Sequence, residues 1–455
     1  MSAWKACDIR GRFPEEVFPE MFQAVGAAAA SELNGHGRVL VAGDFRESTP
    51  VLKAGLVDGL VRGGIQVFDG GQIPTPVAYH AHRSMDFDAV FIVTASHNPP
   101  GHNGLKFMFG QNPPDHALLT RLQQPTFHGN RVTGGSVELI DVAPAYTEWM
   151  EQRWRHLGRE FSGSVVIDAG NGAWSELSPE ILRGLGLAIY PLFCEVDPKF
   201  SNRPPDCARA SNLAALSAKV KETGSQLGVA WDGDGDRVAF LDRNGRFIAT
   251  DQISILLAQY TLGRQPRERV AYDIKLSDHV RRSIEAGGGT AIIERSGHAF
   301  LKRLMIEQSC VLGCEASGHY FHRELAGGDD GLYTALLMLE LVARSGPLDA
   351  LVDALPEIFI TPDLRIHING DSFDSITARL EKNLPVLQTT TLDGVRFVTA
   401  QGSVLIRRSI TEAAITIRID AGQQDGLDHL FHECCRSLPE IADEMKAQIE
   451  QSRTT

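Results

Sequence analysis

The chain has 455 residues, with 44 lysines and arginines against 57 aspartates and glutamates, so its formal net charge is −13. That length predicts three or four domains, and an acidic chain without a basic run is a poor ligand for nucleic acid or an anionic membrane. No apolar run approaches the roughly 20 residues of a membrane span, and the N-terminal residues lack the apolar segment of a signal peptide. We therefore expect a cytoplasmic protein.

Seven cysteines are spread along the chain, an odd number that favours free thiols in a reducing compartment. Cys310 and Cys314 lie close in sequence, as do Cys434 and Cys435, but neither pair has a second pair at the spacing of a zinc site. We interpret all seven as structural or incidental.

The N-terminal region alternates helix and strand patterns. An alanine-rich amphipathic pattern predicts a helix over about residues 20–33, and the apolar run at 38–44 predicts a strand. Residues 48–50, Ser-Thr-Pro, provide a cap and a first-turn proline for the next helix. Before these elements, the short motif KACDIRG contains Arg10, which by itself could simply be an ion-pair partner.

A polar loop at residues 94–100, TASHNPP, follows an apolar strand predicted over 88–93. The two prolines prevent a helix from starting at once, so Ser96 should present its hydroxyl on a stiff loop. A turn with a solvated serine would be the simpler interpretation if this loop stood alone. Further on, Lys106 has the charge to neutralise an anion or, if desolvated, to act as a general acid or base, whereas most lysines are surface residues.

Small and polar residues at about 129–144 predict a linker, and further strand–turn–helix openings follow near residues 164 and 269. With the opening near residue 38 they indicate a repeated α/β domain, although the internal identity is weak. The glycines at 170–172 do not complete a dinucleotide-binding pattern, which argues against a nicotinamide cofactor.

A second polar loop, DGDGDR at residues 232–237, follows the apolar strand predicted at 227–231. Its alternating carboxylates, Asp232, Asp234 and Asp236, can converge on one hard cation, and Mg²⁺ fits best because it favours a few carboxylates plus a phosphate oxygen. An EF-hand loop begins with the same alternation, but Arg237 and Arg243 occupy the positions where that loop needs glycine and glutamate. An acidic turn in water would leave three crowded carboxylates without a counter-charge.

Two further segments carry polar residues at predicted strand ends. Lys275 and His298 end strands on the side where α/β sheets bind ligands, although a lone histidine more often packs or caps. In CEASGHY at 314–320, Glu315 and Ser317 are two residues apart and can both point into a cleft, with the carboxylate bridging two vicinal hydroxyls. The long helix predicted to end near residue 345 has an apolar stripe that we assign to the core.

From about residue 358 the pattern changes to short alternating strands and two helices, which predicts an α+β domain with an antiparallel sheet. The loop at 407–412, RRSITE, and Arg418 on the strand after it offer cations, hydroxyls and backbone amides to a phosphate dianion.

TASHNPP, DGDGDR and the ESGH-like run EASGH together resemble the α-D-phosphohexomutases, the phosphomannomutase/phosphoglucomutase family, over essentially the whole chain. The resemblance implies three similar α/β domains with mixed sheets plus a C-terminal α+β domain, around a central cleft. It also implies a phosphoserine domain at 1–142, a metal-binding domain at 143–246, a sugar-recognition domain at 247–357 and a phosphate-binding domain at 358–455.

The implied activity is reversible interconversion of hexose 1-phosphate and hexose 6-phosphate, with mannose or glucose as the sugar. The resemblance implies a phosphoserine enzyme, a hexose 1,6-bisphosphate intermediate and activator, and one Mg²⁺ per chain. The implied catalytic residues are Ser96, Lys106, Arg10 and His298, and the implied metal ligands are Ser96, Asp232, Asp234 and Asp236. The implied substrate-binding residues are Arg237, Lys275, Glu315, Ser317, His319, Arg407, Ser409, Thr411 and Arg418. We expect a phosphorylated hexose as the partner, no nucleic acid or membrane, and a monomer or weak homodimer.

The sequence departs from the family pattern in two motifs. Ala316 replaces a residue that is commonly methionine, and glutamine in the glucosamine-phosphate relatives, which bears on sugar preference. Ile410 and Ala413 replace an asparagine and a proline, which bears on phosphate affinity. The alternatives are a phosphoglucosamine mutase, a metal-dependent sugar phosphatase that uses the same serine and metal, and a non-catalytic sugar-phosphate sensor, which the full set of catalytic residues disfavours.

Overall fold

The structure, a computed structural model, describes residues 3–124, 134–368, 372–408 and 414–454. The chain forms two compact units, which we call the N-terminal unit (residues 2–249 and 297–352) and the C-terminal unit (residues 250–296 and 353–455). All seven cysteines are free thiols. Among the described residues, no helix combines the length and apolar character needed to cross a bilayer.

The first sheet of the N-terminal unit has six strands in the order β1-β5-β4-β2-β3-β6. β2, β3, β4 and β6 run parallel, whereas β5 is antiparallel to both β1 and β4, so the sheet is mixed. The central strands β2 and β4 are almost wholly buried, as expected for parallel strands covered on both faces. The elements are β1 (Ile9–Arg12), α1 (Pro19–Glu32), β2 (Arg38–Gly43), α2 (Thr49–Arg62), β3 (Gln66–Gln72), α3 (Thr75–Ser84), β4 (Ala89–Val93), β5 (His102–Phe109), α4 (His116–Leu122) and β6 (Ser136–Leu139).

Two local predictions for this region are wrong. The predicted linker at 129–144 contains the edge strand β6, a short strand of four exposed residues, and residues 125–133 lie outside the described part of the chain. Ser48 precedes α2 but its side chain makes no capping bond, and its Oγ accepts a hydrogen bond from Asn103 Nδ2 at 2.8 Å.

The second sheet has the order β10-β9-β7-β8, in which β7 is parallel to β8 and β9, and β10 is antiparallel to β9. Its elements are α5 (Ala143–Trp154), α6 (Leu157–Glu160), β7 (Ser164–Asp168), α7 (Leu177–Gly184), β8 (Ala188–Leu192), α8 (Ala214–Thr223), β9 (Leu227–Trp231) and β10 (Val238–Asp242). Every residue of β9 and β10 is buried, so the loop between them leaves the sheet from inside the protein.

The third α/β region is shared between the two units. The C-terminal unit contains α9 (Thr250–Arg264), β11 (Arg269–Asp273), α10 (Asp278–Ala286) and β12 (Thr290–Glu294), with β11 and β12 parallel. The N-terminal unit contains α11 (His298–Glu307), β13 (Leu312–Cys314), β14 (Tyr320–His322), β15 (Gly328–Asp329), α12 (Gly331–Ser345) and α13 (Leu348–Asp353), with β13, β14 and β15 antiparallel. Asp330 caps α12 by accepting from the backbone N–H groups of Leu332 and Tyr333, and most of this helix is buried as predicted.

The last region is an antiparallel sheet in the order β16-β21-β20-β19-β18, with β17 also paired to β21. Three helices accompany it rather than the two predicted. The elements are β16 (Phe359–Ile360), β17 (Leu364–His367), α14 (Phe373–Asn383), β18 (Gln388–Thr390), β19 (Val395–Val398), β20 (Gly402–Arg408), β21 (Ala414–Ala421), α15 (Gln424–Ser437) and α16 (Ala442–Thr454). The predicted fold class, three α/β domains with mixed sheets and a C-terminal α+β domain, is confirmed.

Candidate active site

Ser96 lies directly after β4 on a loop that the surrounding structure holds in an unusual conformation. The residue is fully buried and has φ +52°, a left-handed value that is uncommon for residues other than glycine. Its backbone N–H donates to Thr94 Oγ1 at 2.9 Å, and Asn98 N–H donates to Ala95 O at 3.0 Å. The loop is therefore a fixed turn with an inward-facing hydroxyl, not a solvated one.

A buried arginine that the sequence analysis did not single out holds this loop. Arg46 has no exposed surface and donates to the carbonyl oxygens of Ser96, Asn98 and Pro99, each at 2.7 Å, and of His102 at 3.1 Å. Its Nε donates to Asp44 Oδ2 at 3.0 Å, which balances the buried charge. One side chain thus fixes the backbone on both sides of the prolines.

The acidic loop between β9 and β10 meets the serine loop. Ser96 Oγ donates to Asp232 Oδ2 at 2.6 Å, across a separation of 136 residues in the sequence. A side chain at Gly233 would place its Cβ 2.5 Å from Ser96 O, so glycine is required where the two loops touch. Asp232 Oδ1 accepts from the N–H groups of Gly235 and Arg237, which curls the acidic loop around this carboxylate.

Lys106, on β5, supplies positive charge to the acidic loop. Its Nζ donates to Asp234 Oδ2 at 2.7 Å and also donates to Asp236 Oδ2, and all three side chains are buried. Burial alone would lower the pKa of Lys106, but Asp234 and Asp236 outweigh burial and raise the pKa above its usual range. Asp234 and Asp236 thus stabilise the ammonium form of Lys106, which favours charge neutralisation over the general-base role.

The three aspartates can bind a metal ion. One carboxylate oxygen from each of Asp232, Asp234 and Asp236 lies within 4.8 Å of the others. Asp234 Oδ1 is buried and has no hydrogen-bond partner among the described residues. Burial and the negative charges of Asp234 and Asp236 raise the pKa of Asp232. The protein therefore supplies too little positive charge to balance the three carboxylates, and a bound cation would supply the remainder. These all-oxygen donors fit a hard divalent cation.

Thr75 fixes the orientation of one of these aspartates and was also missed from the sequence. At the start of α3, its Oγ1 donates to Asp234 Oδ2 at 2.7 Å and its backbone N–H donates to Asp234 O at 2.9 Å. Lys106 also donates to Asp234 Oδ2, so the Asp234 carboxylate cannot rotate freely. Its other oxygen, Oδ1, has no hydrogen-bond partner among the described residues and is available to bind a cation.

Arg10 and His298 are joined by Asp8, whose role the sequence analysis did not foresee. Arg10 Nε donates to Asp8 Oδ2 at 2.8 Å, and His298 Nε2 lies 3.6 Å from the same oxygen. Burial would raise the pKa of Asp8, but Arg10 and His298 outweigh burial and lower it. Asp8 therefore stays ionised and orients both predicted catalytic residues.

The sugar-recognition motif reaches the acidic loop through His319. His319 Nε2 lies 3.1 Å from Asp236 Oδ1, and its Nδ1 lies 3.0 Å from Glu315 Oε2 and 2.8 Å from Ser317 Oγ. Burial lowers the pKa of His319, but Asp236 and Glu315 outweigh it and raise the pKa to about 9. Asp236, His319 and Asp329 also meet the geometric condition for a metal site.

The remaining predicted substrate-binding residues divide between the units. Arg237 lies in the N-terminal unit, 3.8 Å from Asp232 Oδ2, whereas Lys275, Arg407 and Arg418 lie in the C-terminal unit. Arg407 pairs with Asp393 at 2.7 Å, and Arg418 lies 3.5 Å from Asp251 and 3.6 Å from Asp363. Ser409 and Thr411, together with the substitutions Ile410 and Ala413, fall outside the described residues.

Comparison with known proteins gives one consistent result. The models of α/β/α domains I, II and III of phosphoglucomutase/phosphomannomutase match residues 2–118, 145–245 and 249–359. The phosphomannomutase/phosphoglucomutase of Pseudomonas aeruginosa is 33% identical over 436 residues, 94% of each chain. A phosphoglucomutase of Neisseria gonorrhoeae is 32% identical over 438 residues, again 94% of each chain.

A solved structure gives the same answer for the fold. The crystal structure of a phosphoglucomutase/phosphomannomutase family protein from Burkholderia thailandensis superimposes with a TM-score of 0.86 at 33% identity, covering 95% of this chain and 96% of the other. The predicted enzyme class, a phosphohexomutase, is confirmed with the fold. The chain belongs to the phosphoglucomutase/phosphomannomutase family, the α-D-phosphohexomutases.

Proposed function

We propose that this enzyme interconverts the 1- and 6-phosphates of glucose and mannose through a phosphoserine at Ser96 and a hexose 1,6-bisphosphate. The observation that carries the proposal is the 2.6 Å hydrogen bond from Ser96 Oγ to Asp232 Oδ2, which joins the two loops beside Lys106. The buried Ser96 hydroxyl lies among the carboxylates of the acidic loop, close to the ammonium group of Lys106. This arrangement is suited to hold a phosphoryl group on Ser96, because the charge of that group must be balanced by cations in the site itself.

In the first half-reaction, the bond between phosphorus and Ser96 Oγ breaks and a bond forms between phosphorus and a free hydroxyl oxygen of the hexose monophosphate. Lys106 and Arg10 supply positive charge for the transferring group. The hydroxyl proton passes to a base, for which neutral His298 is the candidate because Asp8 Oδ2, 3.6 Å from its Nε2, would stabilise the imidazolium that forms.

In the second half-reaction the bisphosphate turns, a bond forms between Ser96 Oγ and the phosphorus of the other phosphoryl group, and the bond from that phosphorus to the sugar oxygen breaks. The proton that His298 took up in the first half-reaction goes to this sugar oxygen. Glu315 and Ser317 bind sugar hydroxyls that lie similarly in the two poses. Arg407 and Arg418, with Ser409 and Thr411, bind the phosphate that is not being transferred. Arg237, Lys275 and His319 complete the substrate contacts.

Asp232, Asp234 and Asp236 would hold the Mg²⁺ ion together with an oxygen on Ser96. When bound, the ion neutralises charge between donor and acceptor oxygens. The free Oδ1 of Asp234 supports this assignment. The domain roles, the activating bisphosphate, a cytoplasmic location and a monomeric or weakly dimeric state stay predictions, as does the absence of nucleic-acid and membrane partners.

Phosphorus NMR of the purified enzyme, supplied with Mg²⁺ and a trace of glucose 1,6-bisphosphate, tests the proposal. Glucose 1-phosphate and mannose 1-phosphate should each convert to the 6-phosphate, with glucosamine 1-phosphate converted more slowly. Preference for the glucosamine sugar would identify a phosphoglucosamine mutase. Release of inorganic phosphate equal to substrate loss would identify a phosphatase and refute the proposal.

A further inference from the structure

Arg396, on β19 of the C-terminal unit, is a buried arginine with 3% of its surface exposed. Its guanidinium reaches the segment that carries Lys275. Nη1 donates to Ile274 O at 3.0 Å and Nη2 donates to Leu276 O at 2.7 Å, so both carbonyls that flank Lys275 are held by one side chain.

The same guanidinium is bound to the strand that carries Arg418. Arg396 Nη2 donates to Asp420 Oδ1 at 3.2 Å, and Asp420 lies two residues after Arg418 on β21. Asp420 Oδ2 accepts from Ser277 Oγ at 2.9 Å, which adds a second link between β21 and the Lys275 segment.

A third link passes through Asp251 on α9, which is buried. Its Oδ1 accepts from the backbone N–H of Ser277 at 2.6 Å, and its Oδ2 lies 3.5 Å from Arg418 Nη2. The segment at 274–277 is therefore bound at several points to the residues around Arg418, all within one compact unit.

A charge is costly to bury, and an apolar side chain of similar volume would often serve stability as well or better. The geometric result of keeping Arg396 is that its planar guanidinium binds the two carbonyls on either side of Lys275 and a carboxylate, which the point charge of a lysine cannot do. Arg396 thus fixes the position of Lys275 relative to β21 by directional hydrogen bonds, which an apolar side chain of similar volume could not make.

We propose that Arg396 is a positioning residue for hexose-phosphate binding, which makes Lys275 and Arg418 one rigid phosphate-binding pair. The inference rests on the proposed function, because only there do these two cations contact phosphate. Arg396 itself touches no substrate. It acts by setting the backbone from which Lys275 extends.

A double-mutant cycle between Arg396 and Lys275 tests the proposal. Binding of glucose 6-phosphate is measured by calorimetry in a Ser96→Ala background, so that no turnover occurs. Arg396→Lys and Lys275→Ala should each weaken binding about tenfold, the loss of one charge-assisted contact. The double variant should be no weaker than Lys275→Ala alone, because Arg396 acts through Lys275. Arg379→Lys, at a partly exposed arginine that pairs with Glu440 in the same unit, is the matched control and should leave binding unchanged.

The inference would be overturned if the loss of glucose 6-phosphate affinity in the double variant equalled the product of the losses in the two single variants. Unchanged affinity in Arg396→Lys would also overturn it. If Arg396→Lys does not fold, Ser277→Ala removes the donor to Asp420 Oδ2 while Arg396 still pairs with Oδ1, and the same non-additivity with Lys275→Ala is required. In the enzyme with Ser96 intact, Arg396→Lys should raise KM with little change in kcat. Failure of the wild-type protein to bind any hexose phosphate would instead refute the proposed function.

Discussion

Replacement of Thr75 by valine should weaken Mg²⁺ binding without changing the shape of the site. Valine has nearly the same volume as threonine, and the backbone hydrogen bond from residue 75 to Asp234 O does not depend on the side chain. The lost group is the hydroxyl that donates to Asp234 Oδ2 at 2.7 Å. Asp234 then keeps only Lys106 as a donor to that oxygen.

The size of the effect follows from what the hydroxyl does for the carboxylate. A hydrogen bond to a charged group contributes about 1.5–3 kcal/mol, but Lys106 continues to hold Oδ2, so the lower end applies. Loss of a partner that orients a metal ligand typically reduces affinity by about 10–100-fold. We therefore expect Thr75→Val to weaken Mg²⁺ binding by about tenfold, or about 1.4 kcal/mol.

Calorimetric titration of the unphosphorylated enzyme with MgCl2 measures this directly, without reference to turnover. Thr75→Ser keeps the hydroxyl and should bind as the wild type does. Thr49→Val is the matched control, because Thr49 also begins a helix before a proline and donates to a buried carboxylate, Asp44 Oδ1, at 2.7 Å. Equal weakening in the Thr49 and Thr75 variants, or no weakening in Thr75→Val, would refute the reasoning.

Three further predictions concern the nucleophile, the loop that presents it and the pH dependence of stability. Ser96→Ala should lose mutase turnover while folding and Mg²⁺ binding are largely retained, and substantial residual turnover would count against the phosphoserine route. Arg46→Met leaves the buried Asp44 carboxylate without its cation and removes the arginine donor from four carbonyls, so it should cost about 3–5 kcal/mol of unfolding free energy. Arg62→Met, at an exposed pair with Asp58, should cost about 0.5 kcal/mol or less. Similar shifts of the urea midpoint in both variants would contradict this. Burial lowers the pKa of several histidines, to about 2 for His97, about 3 for His322 and about 4 for His80 and His82. Because these histidines take up protons only on unfolding, their contribution to the free energy of unfolding should fall as the pH drops below about 6.5, whereas Asp232 and Asp330, whose pKa values burial raises to about 7, contribute in the opposite direction. Comparison of His322→Gln with the wild type isolates one histidine: between pH 6.5 and 4.5 the variant should lose free energy of unfolding less steeply, by up to about 1.4 kcal/mol per pH unit. Equal pH dependence of the urea midpoint in the two proteins would be inconsistent with a buried neutral His322.

The meeting of the serine and acidic loops could be anticipated from the sequence because both follow buried apolar strands. β4 ends at Val93 and β9 at Trp231, and each is followed at once by polar residues that a buried strand does not need for folding. The family resemblance then paired the two loops. The position of a polar residue directly after a buried strand therefore predicts that the residue belongs to the site. The same reasoning applies to any polar side chain at such a strand end.

The residues that support the site could not be identified in this way. Arg46 matters because four carbonyls converge on it, and backbone carbonyls leave no trace in the sequence. Thr75 begins α3, where threonine is an ordinary residue, and only the fold brings it to Asp234. Arg396 is one of five arginines on the described strands of the C-terminal antiparallel sheet, and nothing in its sequence neighbourhood marks it as the buried one. The edge strand β6 is not predicted because it has only four residues and follows a run of small and polar residues that is typical of a linker.

The measurement that tests the central claim most directly follows one phosphoryl group from the enzyme to the sugar. Enzyme treated with glucose 1,6-bisphosphate and freed of small molecules is analysed by intact mass and peptide mapping, before and after addition of glucose 6-phosphate. We predict one phosphoryl group on Ser96, lost when the sugar is added and recovered in hexose 1,6-bisphosphate. An active enzyme that carries no phosphate on Ser96, or one whose phosphate appears only as inorganic phosphate, would contradict the account.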